Sequence, residues 1–424
     1  MIIKKAFLII ALSFVATFCG AYENFKAAMN AGRKAAVAKK YSEAHTAYNE
    51  ALKFATRPVD KYQVISRQAE LYRSQRNFAQ GEKLLQQIVN DSTMPANLKA
   101  SACLTLAKFK ESQKNFEEAV EAYQKSLQFV KDGLLAFEAY NKSGMLLVRL
   151  KEYAFAIDSF NKALKVEIKD KRRSANLKIG VYNNLSNTYV TIKQFEQAVK
   201  VLEDAAKLPE FSDKRNQKNL QNNINKTLET QVRNAIVYKK FDEADKAMKV
   251  IKAKGNFPKV ENLEAALLTA KAAFAKRTRK NDEAEKYLKE ILTIKGVSSG
   301  AKLTAYSDLI AIYTITNRPQ EVAKTLQLID KVKLTNPEEY FSKAYIKHRY
   351  FISVKKYADA VKILEDTAKI KILRPHRVAR CYELLAYFYF SQRDLNKAKA
   401  YYNKALKTPK VNFKSPILKK RLGL

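Results

Sequence analysis

The chain has 424 residues, with 79 Lys and Arg against 42 Asp and Glu, giving a formal net charge of +37. That length exceeds what one compact core holds, so several units or an elongated array are expected. An apolar content of 47 % excludes a disordered polycation, and only 10 Gly and 9 Pro leave few places for turns. Lys, Ala, Leu, Glu and Gln abound, while alternating strand-like runs bounded by Asn-Gly or Asp-Gly are missing, which predicts an all-α protein.

The first element is a leader. MIIKK gives a basic start, AFLIIALSFVATF an apolar run of thirteen, and Cys19-Gly20-Ala21 follows. The run is too short to span a membrane as a mature helix, and the small residues suit a signal-peptidase cut before Tyr22. Residues 1–21 are therefore expected to be a signal peptide, and the mature chain to be exported, periplasmic or secreted, with no transmembrane segment. Lipid anchoring through Cys19 is disfavoured, because Phe18 stands where that pattern needs a small residue. The two remaining cysteines, Cys103 and Cys381, sit among apolar neighbours far apart in the chain and read as packed thiols.

From there one unit recurs. In KEYAFAIDSFNKALK, Tyr153, Ala156, Phe160 and Ala163 lie along one helical stripe, ordered large, small, large, small. In chain order the same stripe starts at Tyr41, Phe78, Phe116, Tyr153, Phe195, Phe241, Asn281, Pro319, Tyr357 and Leu395. These ten anchors are spaced 37, 38, 37, 42, 46, 40, 38, 38 and 38 residues apart. A second amphipathic segment precedes each anchor, and a small residue recurs nine before it: Gly32, Ala69, Ala107, Gly144, Ser186, Ala272 and Ala386. Small residues at minus nine and plus three let two antiparallel helices approach closely while large ones fill the grooves beside them. LPEFSDKRNQKNLQNN, from Leu208, reads as a turn plus an extended helix. SPILKKRLGL at the end reads as a lid, with Ser415 capping, Pro416 in the first turn, and Ile417, Leu418 and Leu422 covering the last pair.

This pattern resembles the tetratricopeptide repeat, which has small residues at these two places and aromatics around them. The resemblance runs from about Phe25 to Thr408 and implies a right-handed α-solenoid of antiparallel helix pairs. That gives about ten pairs over residues 22–410, with a capping helix over residues 411–424. The copies exceed the usual spacing of the family, Trp is absent, and copies six to eight match least well, leaving irregular helix pairs open there.

Chemistry is sparse. His45, His348 and His376 have no carboxylate or cysteine at metal-binding spacing and read as surface or groove residues. No phosphate-cradling glycine loop, nucleophile elbow or HExxH segment exists, so neither an enzyme nor a cofactor is expected. By the resemblance, the concave wall takes residues 15, 12, 8, 5 and 4 before each anchor. Those fifty places hold eleven basic and five acidic residues, hardly more basic per residue than the rest, so the charge is a diffuse coat. Without an arginine-aromatic stripe, nucleic acid is a poor expectation. Two parts of the wall stand out. Asn141, Asn183 and Asn187, with Thr191 nearby, offer paired donors and acceptors for an extended peptide backbone, a use some tetratricopeptide proteins make of groove asparagines. Tyr345, Arg349, Ile352, Tyr387 and Phe390 offer an aromatic pocket beside Arg, or else packing beneath the lid. The expected activity is a scaffold binding a protein or extended peptide. Capture of an acidic polysaccharide or other anionic envelope polymer is the alternative.

Overall fold

A computed structural model describes residues 23–255, 257–411 and 415–424; the expected leader and its processing site lie outside them. The described residues form helices and turns without strands. The chain divides into two compact units, one ending at Thr227 and the other starting at Leu228.

Unit 1 contains five helix pairs: α1 (Phe25–Val37) with α2 (Tyr41–Lys53), α3 (Pro58–Ser74) with α4 (Phe78–Asn90), α5 (Ala96–Gln113) with α6 (Phe116–Ser126), α7 (Gly133–Arg149) with α8 (Tyr153–Lys165), and α9 (Lys171–Thr191) with α10 (Phe195–Ala206). After a short 3-10 turn at Pro209–Phe211 comes α11 (Lys214–Val237), the extended helix expected there, which runs through the boundary between the units. Unit 2 continues with α12 (Phe241–Lys254), then the pairs α13 (Val260–Arg277) with α14 (Asn281–Thr293), α15 (Ser299–Ile315) with α16 (Pro319–Asp330), α17 (Pro337–Ser353) with α18 (Tyr357–Ala368), and α19 (Pro375–Ser391) with α20 (Leu395–Leu406). The terminal helix is α21 (Pro416–Arg421). Within each unit the helices of a pair pack on each other and successive pairs stack, so the units are stacks of helix hairpins, an all-α solenoid arrangement. Copies seven and eight, among the poorest matches in sequence, are helix pairs as well, whereas copy six departs through the long helix α11.

Each second helix begins at the residue taken as anchor. The reason is the turn before it. The residue two before the anchor is left-handed in all ten copies, with φ between 54° and 67° (Lys39, Arg76, Lys114, Lys151, Lys193, Lys239, Arg279, Asn317, Lys355 and Arg393). The next amide then reaches back five residues to a carbonyl of the ending helix, as in Glu152 N to Leu147 O at 2.8 Å. This is the Schellman stop, normally made with glycine. Here nine of the ten are basic, and a cation beside a helix C-terminus gains a favourable dipole interaction that partly offsets the strain.

The interlock follows the order of sizes. Residues three after the anchors are buried throughout, from Ala44 to Ala398, and so are those ten after. A Cβ on Gly32 would lie 2.5 Å from Tyr48 Cε1, so the small residue nine before an anchor is the socket for the large one seven after it. In copy five Ser186 fills the socket and donates to Ala198 O at 2.9 Å.

Three expectations change. His348 is not a surface residue: it occupies the socket of copy nine, is buried, and donates from Nδ1 to Ala360 O at 2.9 Å. That is the bond Ser186 makes in copy five, and it satisfies the imidazole where only small residues were expected. Ser415 stands at the N-cap of α21 but makes no side-chain cap bond, because its ψ of 75° departs from extended cap geometry. Leu418 and Leu422 are buried under the lid, whereas Ile417 is 63 % exposed because it points off the contact stripe.

Candidate functional site

The first helices of consecutive pairs present a shared face, and unit 1 concentrates amides on it. Asn141 projects from α7, Asn183, Asn184 and Asn187 from α9, and Asn219 and Asn223 from α11. Neighbouring helices are joined through these side chains. Asn184 Nδ2 donates to Asn141 Oδ1 at 3.3 Å, and Asn183 Nδ2 donates to Asn219 Oδ1 at 3.3 Å. Asn223 Nδ2 donates to Asn183 Oδ1 at 2.8 Å and to Asn219 Oδ1 at 3.1 Å. The result is an amide ladder across three consecutive first helices. An amide has two donor hydrogens and two acceptor lone pairs, so these bonds orient the planes without exhausting them. Asn141 Nδ2 and the whole Asn187 amide make no hydrogen bond among the described residues, and Asn187 is exposed. Thr191 is turned to its own helix, donating to Asn187 O at 2.8 Å.

Three rungs, Asn184, Asn219 and Asn223, were missed from sequence. Asn219 and Asn223 lie well before the wall positions of copy six, because α11 has 24 residues and extends the face by more than a turn. Their four-residue spacing within NLQNN was the available signal.

Several cations on the same face of unit 1 are committed locally. Lys108 pairs with Glu138 of the next first helix at 3.0 Å, Arg73 with Glu70 at 2.7 Å, and the Arg149 guanidinium lies over the Phe116 ring at 4.2 Å. From α7 to α11 the face therefore offers mainly amide chemistry.

The aromatic group in unit 2 is split. Tyr345 stacks on Phe341 at 5.9 Å between centroids and carries the Arg349 guanidinium over its ring at 5.9 Å. Both rings belong to the cluster around Leu364 and Cys381. Tyr387 and Phe390 pack instead against the cluster of Ala398, Tyr402, Leu418 and Leu422, under the terminal helix. Ile352 is half-buried, and Arg349 remains exposed.

Other polar features serve packing. Cys103 and Cys381 are buried free thiols, pushed up by burial to about 11 and about 12. Glu285 is buried on α14. Burial alone would raise its pKa, but hydrogen bonds from Arg318, Lys289 and Tyr313 hold it down at about 2. Among the described residues no group of His, Cys, Asp and Glu could hold a metal ion, and no helix is long and apolar enough to cross a membrane.

The tetratricopeptide repeat family model matches the chain at residues 100–129, 137–167, 179–211 and 379–410. No curated protein matches it. Similar solved structures include the C-terminal part of a TPR repeat-containing protein from Cytophaga hutchinsonii, 16 % identical, covering 64 % of this chain and 97 % of that one, with a TM-score of 0.36. A tetratricopeptide repeat protein from Parabacteroides merdae is 11 % identical, covering 67 % and 98 %, with a TM-score of 0.31. The apo quorum sensor NprR from B. thuringiensis is 13 % identical, covering 90 % and 98 %, with a TM-score of 0.28.

Proposed function

We propose that this chain, a divergent tetratricopeptide-like helical-repeat protein, is an exported, non-enzymatic scaffold that holds an extended protein segment against the first-helix face of unit 1. The observation that carries the reading is the amide ladder from Asn141 to Asn223, pre-oriented by its own hydrogen bonds. A peptide backbone presents one donor and one acceptor per residue, and a row of fixed amides meets both without demanding a particular side chain. The open amide of Asn187 and the free donors of Asn141 are the first contacts such a backbone would find. Export rests on the leader, and intact mass of the exported protein should show a chain beginning at Tyr22. A diacylglycerol-modified Cys19 at the amino terminus would overturn that part.

The test begins with a partner captured from an envelope extract and then produced pure. Its affinity is measured from low salt to about 150 mM, where the screening length falls to about 8 Å. Binding through oriented amides should persist. Asn183→Ala with Asn187→Ala should weaken it by about 1–3 kcal/mol per important contact. If salt abolishes binding while this variant binds normally, the basic coat is the binding agent and the anionic-polymer reading replaces this one.

A further inference from the structure

Unit 2 contains a second feature, independent of the amide face. A cleft of about 570 Å³ opens between the turn that leads into α15 and the link between α16 and α17, at residues 331–336. Lys302, Lys331 and Lys333 line it, together with Tyr306, Leu328 and Thr335, and no carboxylate does. Lys302 is half-buried. Four half-buried lysines of this unit have aspartate partners: Lys271 with Asp245 at 2.7 Å, Lys276 with Asp308 at 2.5 Å, and Lys343 and Lys347 with Asp330 at 3.0 and 2.6 Å. None of the three cleft lysines forms an ion pair among the described residues. Glu339, buried against Ser299, accepts from Ser299 Oγ at 2.6 Å and the Thr335 amide at 2.5 Å and pairs with none of the three lysines.

Lys331 and Lys333 are exposed at the rim, so three cations without a carboxylate in the lining give the cleft a local positive field. An oxyanion entering the cleft would meet all three. We infer that this cleft binds a multiply charged oxyanion carried on a compact ring, a phosphorylated or sulfated sugar, with the lysines on the oxyanions and Tyr306 against the ring. The volume is within the range of small-molecule sites, and lysines act on phosphate or sulfate as adaptable point charges.

Calorimetric titration of the full chain tests this with two probes, fructose 1,6-bisphosphate and a sulfated heparin disaccharide. The triple variant Lys302→Ala, Lys331→Ala, Lys333→Ala is compared with Lys39→Ala, Lys114→Ala, Lys151→Ala. The second variant removes the same charge from exposed turns of unit 1. The cleft variant should weaken the preferred probe at least about tenfold, as expected for lost charge-assisted bonds, and the turn variant less than about twofold. The triple Lys→Arg variant of the cleft should retain binding, which separates loss of charge from loss of fold. Whichever probe is preferred identifies the oxyanion. Equal weakening by both alanine variants, or no binding of either probe by the wild type, would overturn the proposal.

Discussion

A Cβ placed on Gly144 would fall 2.7 Å from Phe160 Cε1, and Ala156, on the facing helix of the same pair, is fully buried. Added volume at either position has to separate α7 from α8. Ala156→Leu should lower stability by about 1–3 kcal/mol, read as a drop in the denaturant midpoint. An unchanged midpoint would contradict the interlock. The opposite sign is expected one turn earlier. Lys151 sits at φ 67°, where a side chain costs roughly 1–2 kcal/mol and glycine nothing. Glycine also loses more backbone entropy on folding, so Lys151→Gly should raise stability by about 0.5–1 kcal/mol. The stripe at Tyr153 was legible because sizes alternate along it. The left-handed turn was not, because the residue type that usually announces it, glycine, is replaced by Lys or Arg.

At the scale of helix pairs, buried polar groups tie elements together, and their titration reports it. Burial lowers the pKa of His348 below its ordinary 6.5, the bond to Ala360 O opposing this only in part. The unfolded chain then binds a proton more readily than the folded one, so the stability this residue contributes is present above about pH 6.5 and lost as pH falls towards the folded value. Melting from pH 7.5 to 5.5 should show a slope for wild type that flattens in His348→Ala, the residue other sockets use. Identical slopes would place the titration elsewhere. Glu285 on α14 joins Arg318, in the turn after α15, at 2.6 Å. Arg318→Ala leaves the Glu285 carboxylate without its guanidinium and should lower the denaturant midpoint at neutral pH. Because the folded pKa of Glu285 is depressed to about 2, its contribution is full above about pH 4.5 and disappears as pH falls through 2. The difference between wild type and Arg318→Ala should narrow on acidification, and a constant difference would refute the pairing. Both residues lay hidden in sequence: His348 replaces a small residue, and Glu285 reads as one more acid on an acid-rich helix.

At the scale of the whole molecule, the periodic spacing made the second helices readable, since each of the ten anchors marks the start of one. The candidate face was readable only in part. Asn141, Asn183 and Asn187 follow from repeat positions. Asn219 and Asn223 need the length of α11, and the division of the aromatic group needs tertiary packing that no spacing encodes. The central claim is that a protein segment lies on the first-helix face of unit 1. The direct measurement is site-specific photo-crosslinking in cells, with a benzophenone amino acid at Asn187 on that face or at Phe155, which is 64 % exposed on the second helix α8. The account predicts a discrete protein adduct from position 187 and none from position 155. An adduct from 155 with none from 187 would contradict it.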